Sequence, residues 1–174
     1  MKFKKTKIKN CVEIFPNLIK DKRGFFQRIF CSNIFRQQKL ANKVVNINNS
    51  FSKFKGTTRG MHYQVGKSKE TKIMRCIKGK CDLYVVDLDK KNKTYLKYVR
   101  ITLDSKKRNM AMVPINCANG IQTLVNNTEI IYFVSNYYKP KKERGISFYD
   151  PKIRIKLKLK SSIISKKDLS WKML

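Results

Sequence analysis

Punctuation narrows what this chain can fold into more than any other feature. Short runs of β-forming residues are broken repeatedly by turn formers, and almost no stretch has helical periodicity. Thr71–Ile77 and Cys81–Asp87 flank Lys78-Gly79-Lys80, which predicts two strands joined as a hairpin. Val44–Asn48, Thr94–Leu103, Asn109–Pro114 and Glu129–Val134 read as further strands. Ile153–Lys160 alternates without a break between an apolar residue and a cation. That pattern predicts a strand with one face buried and one wet, its exposed lysines discouraging edge-to-edge pairing. Helix is expected only over Asn33–Lys39 and Lys166–Trp171. The sum predicts an all-β sandwich or barrel of the jelly-roll kind. With 174 residues and no internal repeat, linker or composition break, one domain over 1–174 is expected.

The chain is 41% hydrophobic and 11% aromatic, enough for a real core, so a disordered basic tail is excluded. Apolar runs such as Ile130–Val134 fall far short of the ~20 residues of a membrane span. Met1-Lys2-Phe3-Lys4-Lys5 is basic but no apolar run follows it, so no secretion signal is expected. The five cysteines are scattered, with no C-x-x-C pair, and fit reduced thiols of a cytoplasmic protein better than a disulfide framework or zinc site. A net charge of +30 points to an anionic partner. However, 32 of the 41 basic residues are Lys, spread along the whole chain. Sequence-reading nucleic-acid binders lean on Arg, so neither a nucleic-acid nor a membrane partner is expected.

The lone histidine, His62, sits in Arg59-Gly60-Met61-His62-Tyr63-Gln64, among a cation, a phenol and an amide. One His cannot furnish the three protein ligands an open catalytic metal site takes, so no metal and no other cofactor is expected. There is no G-x-S-x-G elbow, no G-x-x-x-x-G-K loop and no G-x-G-x-x-G. General acid–base chemistry remains, and an imidazole with an unperturbed pKa of about 6.5 suits it.

Further phrases join this one in order: Asp21-Lys22-Arg23-Gly24-Phe25-Phe26, Asn48-Asn49-Ser50, Gly56-Thr57-Thr58 leading into Arg59–Gln64, and Lys72 ten residues after the His. Val85-Val86-Asp87, Val113-Pro114, Ala118-Asn119-Gly120, Tyr132, Tyr138, Glu143, Gly145-Ile146, Asp150-Pro151 and Ser165-Lys166-Lys167-Asp168 follow. From about residue 21 to 168 this set resembles the dTDP-4-dehydrorhamnose 3,5-epimerase family. The resemblance implies a cupin-like β jelly roll, or double-stranded β-helix, with a few short helices and no metal. It implies epimerisation at C3 and C5 of a nucleoside-diphosphate 4-keto-6-deoxy sugar, for deoxysugar or surface-polysaccharide synthesis. His62 would be the base, Asp168 its orienting carboxylate, Tyr132 the acid on the other face, and Lys72 the stabiliser of the enolate. Arg59 would hold the diphosphate and Tyr138 stack near the base. Phe26, Arg28, Asn46, Asn48, Gln64, Asn119 and Glu143 would be further substrate ligands. Arg23 would reach in from the second subunit of a homodimer with exchanged N-terminal segments.

Ordinary structural duties stand beside these roles. Ser165-x-x-Asp168 is a capping-box-like pattern, and a Tyr in an apolar strand is commonly core. The chain also departs from the family, which usually has a second His at Asn119, Glu at Arg28, Gln at Asn46 and Asp at Leu83. Those departures leave room for a C3-only epimerase, or for one acting on a GDP-linked 4-keto-6-deoxy-heptose. Outside that class stand a non-catalytic nucleotide-sugar or nucleic-acid binding jelly roll and an isomerase that moves the keto group.

Overall fold

The computed structural model describes residues 1–174. Two antiparallel sheets face each other. The first has the order β1 (Lys2–Lys5), β2 (Val12–Phe15), β10 (Met110–Val113), β7 (Lys72–Lys78), β12 (Thr128–Val134), β5 (Asn46–Ser52). The second has the order β13 (Glu143–Gly145), β6 (Thr57–Gln64), β11 (Cys117–Thr123), β8 (Lys80–Asp87), β9 (Tyr98–Asp104), and β14 (Ile163–Ile164) pairs with β6 in parallel. β3 (Leu18–Asp21) and β4 (Gly24–Gln27) form a hairpin apart from both. The two helices are short, α1 over Ser32–Gln37 and α2 over Lys166–Leu169. This is the expected jelly roll, with the chain passing repeatedly from one sheet to the other.

Inward-facing Met74 and Cys76 of β7 meet Cys81, Leu83 and Val85 of β8, with Ile101, Leu103, Ile121 and Ile130, in the core between the sheets. Each outer face has its own apolar cover. Phe35 of α1 packs with Val12, Ile14, Ile73, Met110 and Met112 on the first sheet. Ile146, Phe148 and Ile153 pack on Met61, Tyr84, Val86 and Ala118 of the second. Both sheets are therefore covered on both sides over much of their area. That explains why several strands read as apolar runs rather than clean alternations.

Three expectations are corrected. The strands on either side of Lys78-Gly79-Lys80 are not a hairpin: β7 pairs with β10 and β12, while β8 pairs with β11 and β9. Gly79, at φ 78°, turns a corner from one sheet to the other, and the two strands meet through side chains across the core. The strand expected from Thr94 starts at Tyr98, because Leu96 has φ 59° and Thr94 is bound into a turn by its hydroxyl donating to Asp87 Oδ2 at 2.6 Å. The run Ile153–Lys160 alternates as predicted, its apolar face buried at Ile153 and half-buried at Ile155, Leu157 and Leu159, yet it belongs to neither sheet. Side chains stand in for a neighbouring strand. The N–H groups of Lys156 and Lys158 donate to the hydroxyls of Tyr98 and Tyr84 at 3.2 and 3.3 Å. The amide of the fully buried Gln122 accepts from Leu159 N at 3.0 Å and donates to Leu159 O at 2.8 Å. Smaller shifts move the first expected strand to Asn46–Ser52 and shorten the second helix to Lys166–Leu169.

Gln122→Leu strands both backbone groups of Leu159 against an apolar side chain. Equilibrium denaturant unfolding will show a loss of about 1–3 kcal/mol, the usual result of leaving buried polar groups unmet.

Candidate active site

β6 positions the site, and an irregularity in it decides which side chains point inward. Side chains alternate along a strand, so Arg59 and His62, an odd number of residues apart, should face opposite ways. Across from them on β11, Ile121 pairs with Arg59 and Asn119 with His62, so β6 holds one residue more than its partner. The bulge at Gly60-Met61 restores the parity. Arg59 and His62 now line the same cleft, while Met61 drops into the apolar layer on the other face. Gly60 is required there: it sits at φ 107°, and a Cβ would lie 2.7 Å from Asn119 O and Gly120 Cα.

His62 Nε2 and Asp168 Oδ1 are 2.6 Å apart, with the side chains 28% and 5% exposed. The second carboxylate oxygen of Asp168 accepts the Gly60 N–H at 3.1 Å. Burial would push this carboxyl up, but the hydrogen bonds from His62 and Gly60 outweigh it and hold it below the ordinary carboxylate value. The capping reading is resolved by a division of labour: the Ser165 hydroxyl caps α2 by accepting Asp168 N–H at 3.0 Å. The Asp168 carboxylate is left for the imidazole. A carboxylate only accepts, so Nε2 carries the proton and the other ring nitrogen is left as the acceptor. Trp171 meets the His62 ring edge-on with centroids 6.0 Å apart, and packs against Gly145.

Two adjoining clefts, of ≈ 330 and ≈ 270 Å³, share His62, Lys72 and Tyr132. Tyr132 comes from β12 of the first sheet and His62 from β6 of the second, so the two stand on opposite walls. Lys72 Nζ is 3.2 Å from Glu70 Oε1. Burial raises the Tyr132 phenol above its ordinary value, the Glu70 charge adds to the rise, and Arg59 opposes it. Asn46 and Asn48 of β5 line the first cleft and Asn119 the second, where Asn119 Nδ2 lies 3.9 Å from Met74 Sδ.

Arg59 is braced by Nε to Ser52 Oγ at 3.1 Å and Nη2 to Phe51 O at 3.0 Å. The Tyr138 hydroxyl donates to Glu143 Oε2 at 2.8 Å, and Lys167 Nζ pairs with the same oxygen. Burial would raise the Glu143 carboxyl, but Lys167 and Tyr138 bring it below its ordinary value. Gln64 lines the first cleft with its amide already engaged, donating to Glu70 Oε2 at 2.8 Å and accepting Lys139 N–H at 2.9 Å.

Eleven of the fourteen residues expected in the site thus converge on it. Arg23, Phe26 and Arg28 do not. Arg23, 90% exposed, pairs with Asp21 at 2.7 Å on the β3–β4 hairpin. Phe26 and Arg28 line a separate surface hollow with Ile19 and Ile34. Sequence reasoning missed Glu70 and Lys167. Nothing marks Lys167 among 32 lysines except its place beside Asp168, while Glu70 is one of only 11 acids and lies two residues from Lys72.

Comparisons with known proteins place the chain in a family and match its fold. The family profile described as dTDP-4-dehydrorhamnose 3,5-epimerase matches residues 5–174. A relative of that description from Methanothermobacter thermautotrophicus is 32% identical over 176 residues, covering 99% of this chain and 94% of its own. The crystal structure of the enzyme of that description from Sulfolobus tokodaii superposes with a TM-score of 0.89 at 35% identity, over 99% of this chain and 96% of the other. The Bacillus anthracis enzyme, with TDP and PPi bound, gives a TM-score of 0.95 at 28% identity over 99% of each chain.

Proposed function

The chain belongs to the dTDP-4-dehydrorhamnose 3,5-epimerase family, and we propose that it epimerises a dTDP-linked 4-keto-6-deoxy sugar through an enolate, with His62 as base and Tyr132 as acid. The enzyme is an isomerase of nucleotide-sugar biosynthesis. The observation that carries the mechanism is the placement of the His62–Asp168 pair and Tyr132 on opposite walls of one cleft.

The C4 carbonyl acidifies the protons on C3 and C5. His62 takes one through its free ring nitrogen, while Asp168 holds the imidazole and stabilises the imidazolium that forms. Charge moves onto the C4 oxygen. Lys72 meets it there, and stabilisation of this kind is usually the largest catalytic contribution. Tyr132 returns a proton from the far wall, the C4 carbonyl reforms and the carbon is inverted; His62 then gives its proton to solvent and Tyr132 regains one from solvent. Its raised pKa keeps the phenol protonated well above neutral pH. Arg59 takes the diphosphate, Tyr138 the base, and Asn46, Asn48, Gln64, Asn119 and Glu143 complete the lining.

Arg23, Phe26 and Arg28 act across a homodimer in which the N-terminal hairpins exchange. The β3–β4 ribbon supports this, since it pairs with neither sheet and leaves Ile19 and Phe26 63% and 58% exposed. Sedimentation at twice 20.5 kDa is the expected result. A cytoplasmic site of action fits the five free cysteines.

Asn119 favours keeping a second reading, epimerisation at C3 alone or of a GDP-linked heptose. It faces the second cleft where the family's usual His would stand, and an amide cannot carry charge. Incubation of dTDP-4-keto-6-deoxyglucose with the enzyme in deuterated water, read by proton NMR, separates these. Deuterium at C3 and C5 is expected. Deuterium at C3 alone supports the second reading, and none with either dTDP or GDP sugars refutes the epimerase.

A further inference from the structure

We infer that Glu70 is a positioning residue of this site: its carboxylate holds the Lys72 ammonium and the Gln64 amide and sets a fixed negative charge in the cleft that the Tyr132 phenol faces. The inference rests on the reading of Lys72 and Tyr132 given above. Glu70 lies in the connection between β6 and β7, its side chain only 7% exposed, in a chain with 41 basic and 11 acidic residues. Oε1 is 3.2 Å from Lys72 Nζ and Oε2 accepts Gln64 Nε2–H at 2.8 Å. Gln64 is pinned in turn by the Lys139 N–H. With both oxygens engaged, Glu70 is not a free proton acceptor. Its work is done through its neighbours.

Two consequences follow from charge and geometry. An ammonium has three N–H donors. One directed at Glu70 fixes the head of a long, flexible side chain and leaves the others for the oxygen of the substrate. The second concerns the phenol. A carboxylate lining the same cleft disfavours phenolate. Besides Glu70 and Tyr132, the charged and titratable groups around that cleft are Arg59, His62 and Tyr63 on β6, Lys72 on β7, Tyr138 after β12, Glu143 on β13, and Lys167 and Asp168 on α2. Burial raises the phenol most, Glu70 adds to it, and among the cations Arg59 opposes. Glu143 is already taken up by Lys167 and Tyr138, and Asp168 by His62, Gly60 and its place on α2. Glu70 is paired too, with Lys72, but it is the carboxylate whose charge acts on the phenol, so its removal changes the field at Tyr132.

The test uses Glu70→Gln, which keeps an acceptor for Lys72 but loses the charge, and Glu70→Ala, which loses both. Phenolate absorbance is titrated with and without Tyr132→Phe in each background, so that the difference isolates Tyr132. In Glu70→Gln the Tyr132 midpoint moves to lower pH, and the alkaline limb of the kcat profile moves with it by the same amount. In Glu70→Ala, kcat falls roughly 10–100-fold, the cost of a slightly misplaced catalytic group, and Glu70→Gln recovers most of it at neutral pH. An unmoved Tyr132 midpoint in Glu70→Gln overturns the inference. A midpoint that moves while the kcat limb stays fixed upholds Glu70 and instead removes Tyr132 as the acid.

Discussion

His62→Asn will lower kcat by about 10³-fold, within the range that general acid–base catalysis contributes, and will slow deuterium exchange into the sugar by a similar factor. Nothing else in the cleft can replace it. It is the only imidazole in the chain. Asp168 and Glu143 are held below their ordinary carboxylate values and are poor bases. The Tyr132 phenol stays protonated. Asn keeps a donor for Asp168, so the strand and the cleft survive. Binding of TDP, followed by thermal shift, will therefore be retained, because Arg59 and Tyr138 lie elsewhere along the cleft. Lost nucleotide binding would mean that the substitution disturbed the strand, and undiminished exchange would mean that the base is misassigned.

Asp168→Asn will be comparably damaging, on the order of 10²–10⁴-fold in kcat. A triad carboxylate changed to its amide in serine proteases loses about 10⁴-fold because the imidazole is held in the wrong tautomer. The same logic applies here. Gly60 N–H, 3.1 Å from Oδ2, requires an acceptor, so the amide turns its oxygen toward Gly60 and its NH2 toward His62. Nε2 must then accept, and the proton shifts to the nitrogen that should be the base. KM will change little. The pH dependence of stability gives a second readout. The folded Asp168 carboxyl lies below its unfolded value of about 3.9. Its contribution is therefore complete above that value and is lost as pH falls through the lower folded value. Asp168→Asn will remove that part of the acid transition, seen as a smaller drop in melting temperature on acidification.

Much of this architecture is legible in the residues. Thr71–Ile77 and Cys81–Asp87 announce strands because each has a core side and a turn at its end. What the pattern does not carry is which sheet each strand joins, so a corner at Gly79 reads as a hairpin. β11 is silent for a different reason: Cys117-Ala118-Asn119-Gly120 has small residues, buried throughout, where a strand signal needs β-branched ones. Ile153–Lys160 shows alternation without a ladder, since Tyr84, Tyr98 and Gln122 supply the partners a neighbouring strand would. The site is legible only through the spacing that resembles a family. His62, Lys72, Tyr132 and Asp168 come from three strands and a terminal helix, and no local pattern brings such residues together. Glu70 and Lys167 escape because their roles lie in whom they touch.

The central claim, a base and an acid on opposite walls, is tested most directly by Tyr132→Phe in deuterated water. Without a donor on the far wall, His62 can still remove a proton and return deuterium to the same face. The account predicts that the recovered 4-keto sugar carries deuterium next to the carbonyl with its configuration unchanged, while net epimerisation is lost. Inversion at the wild-type rate, or loss of exchange together with inversion, would contradict it.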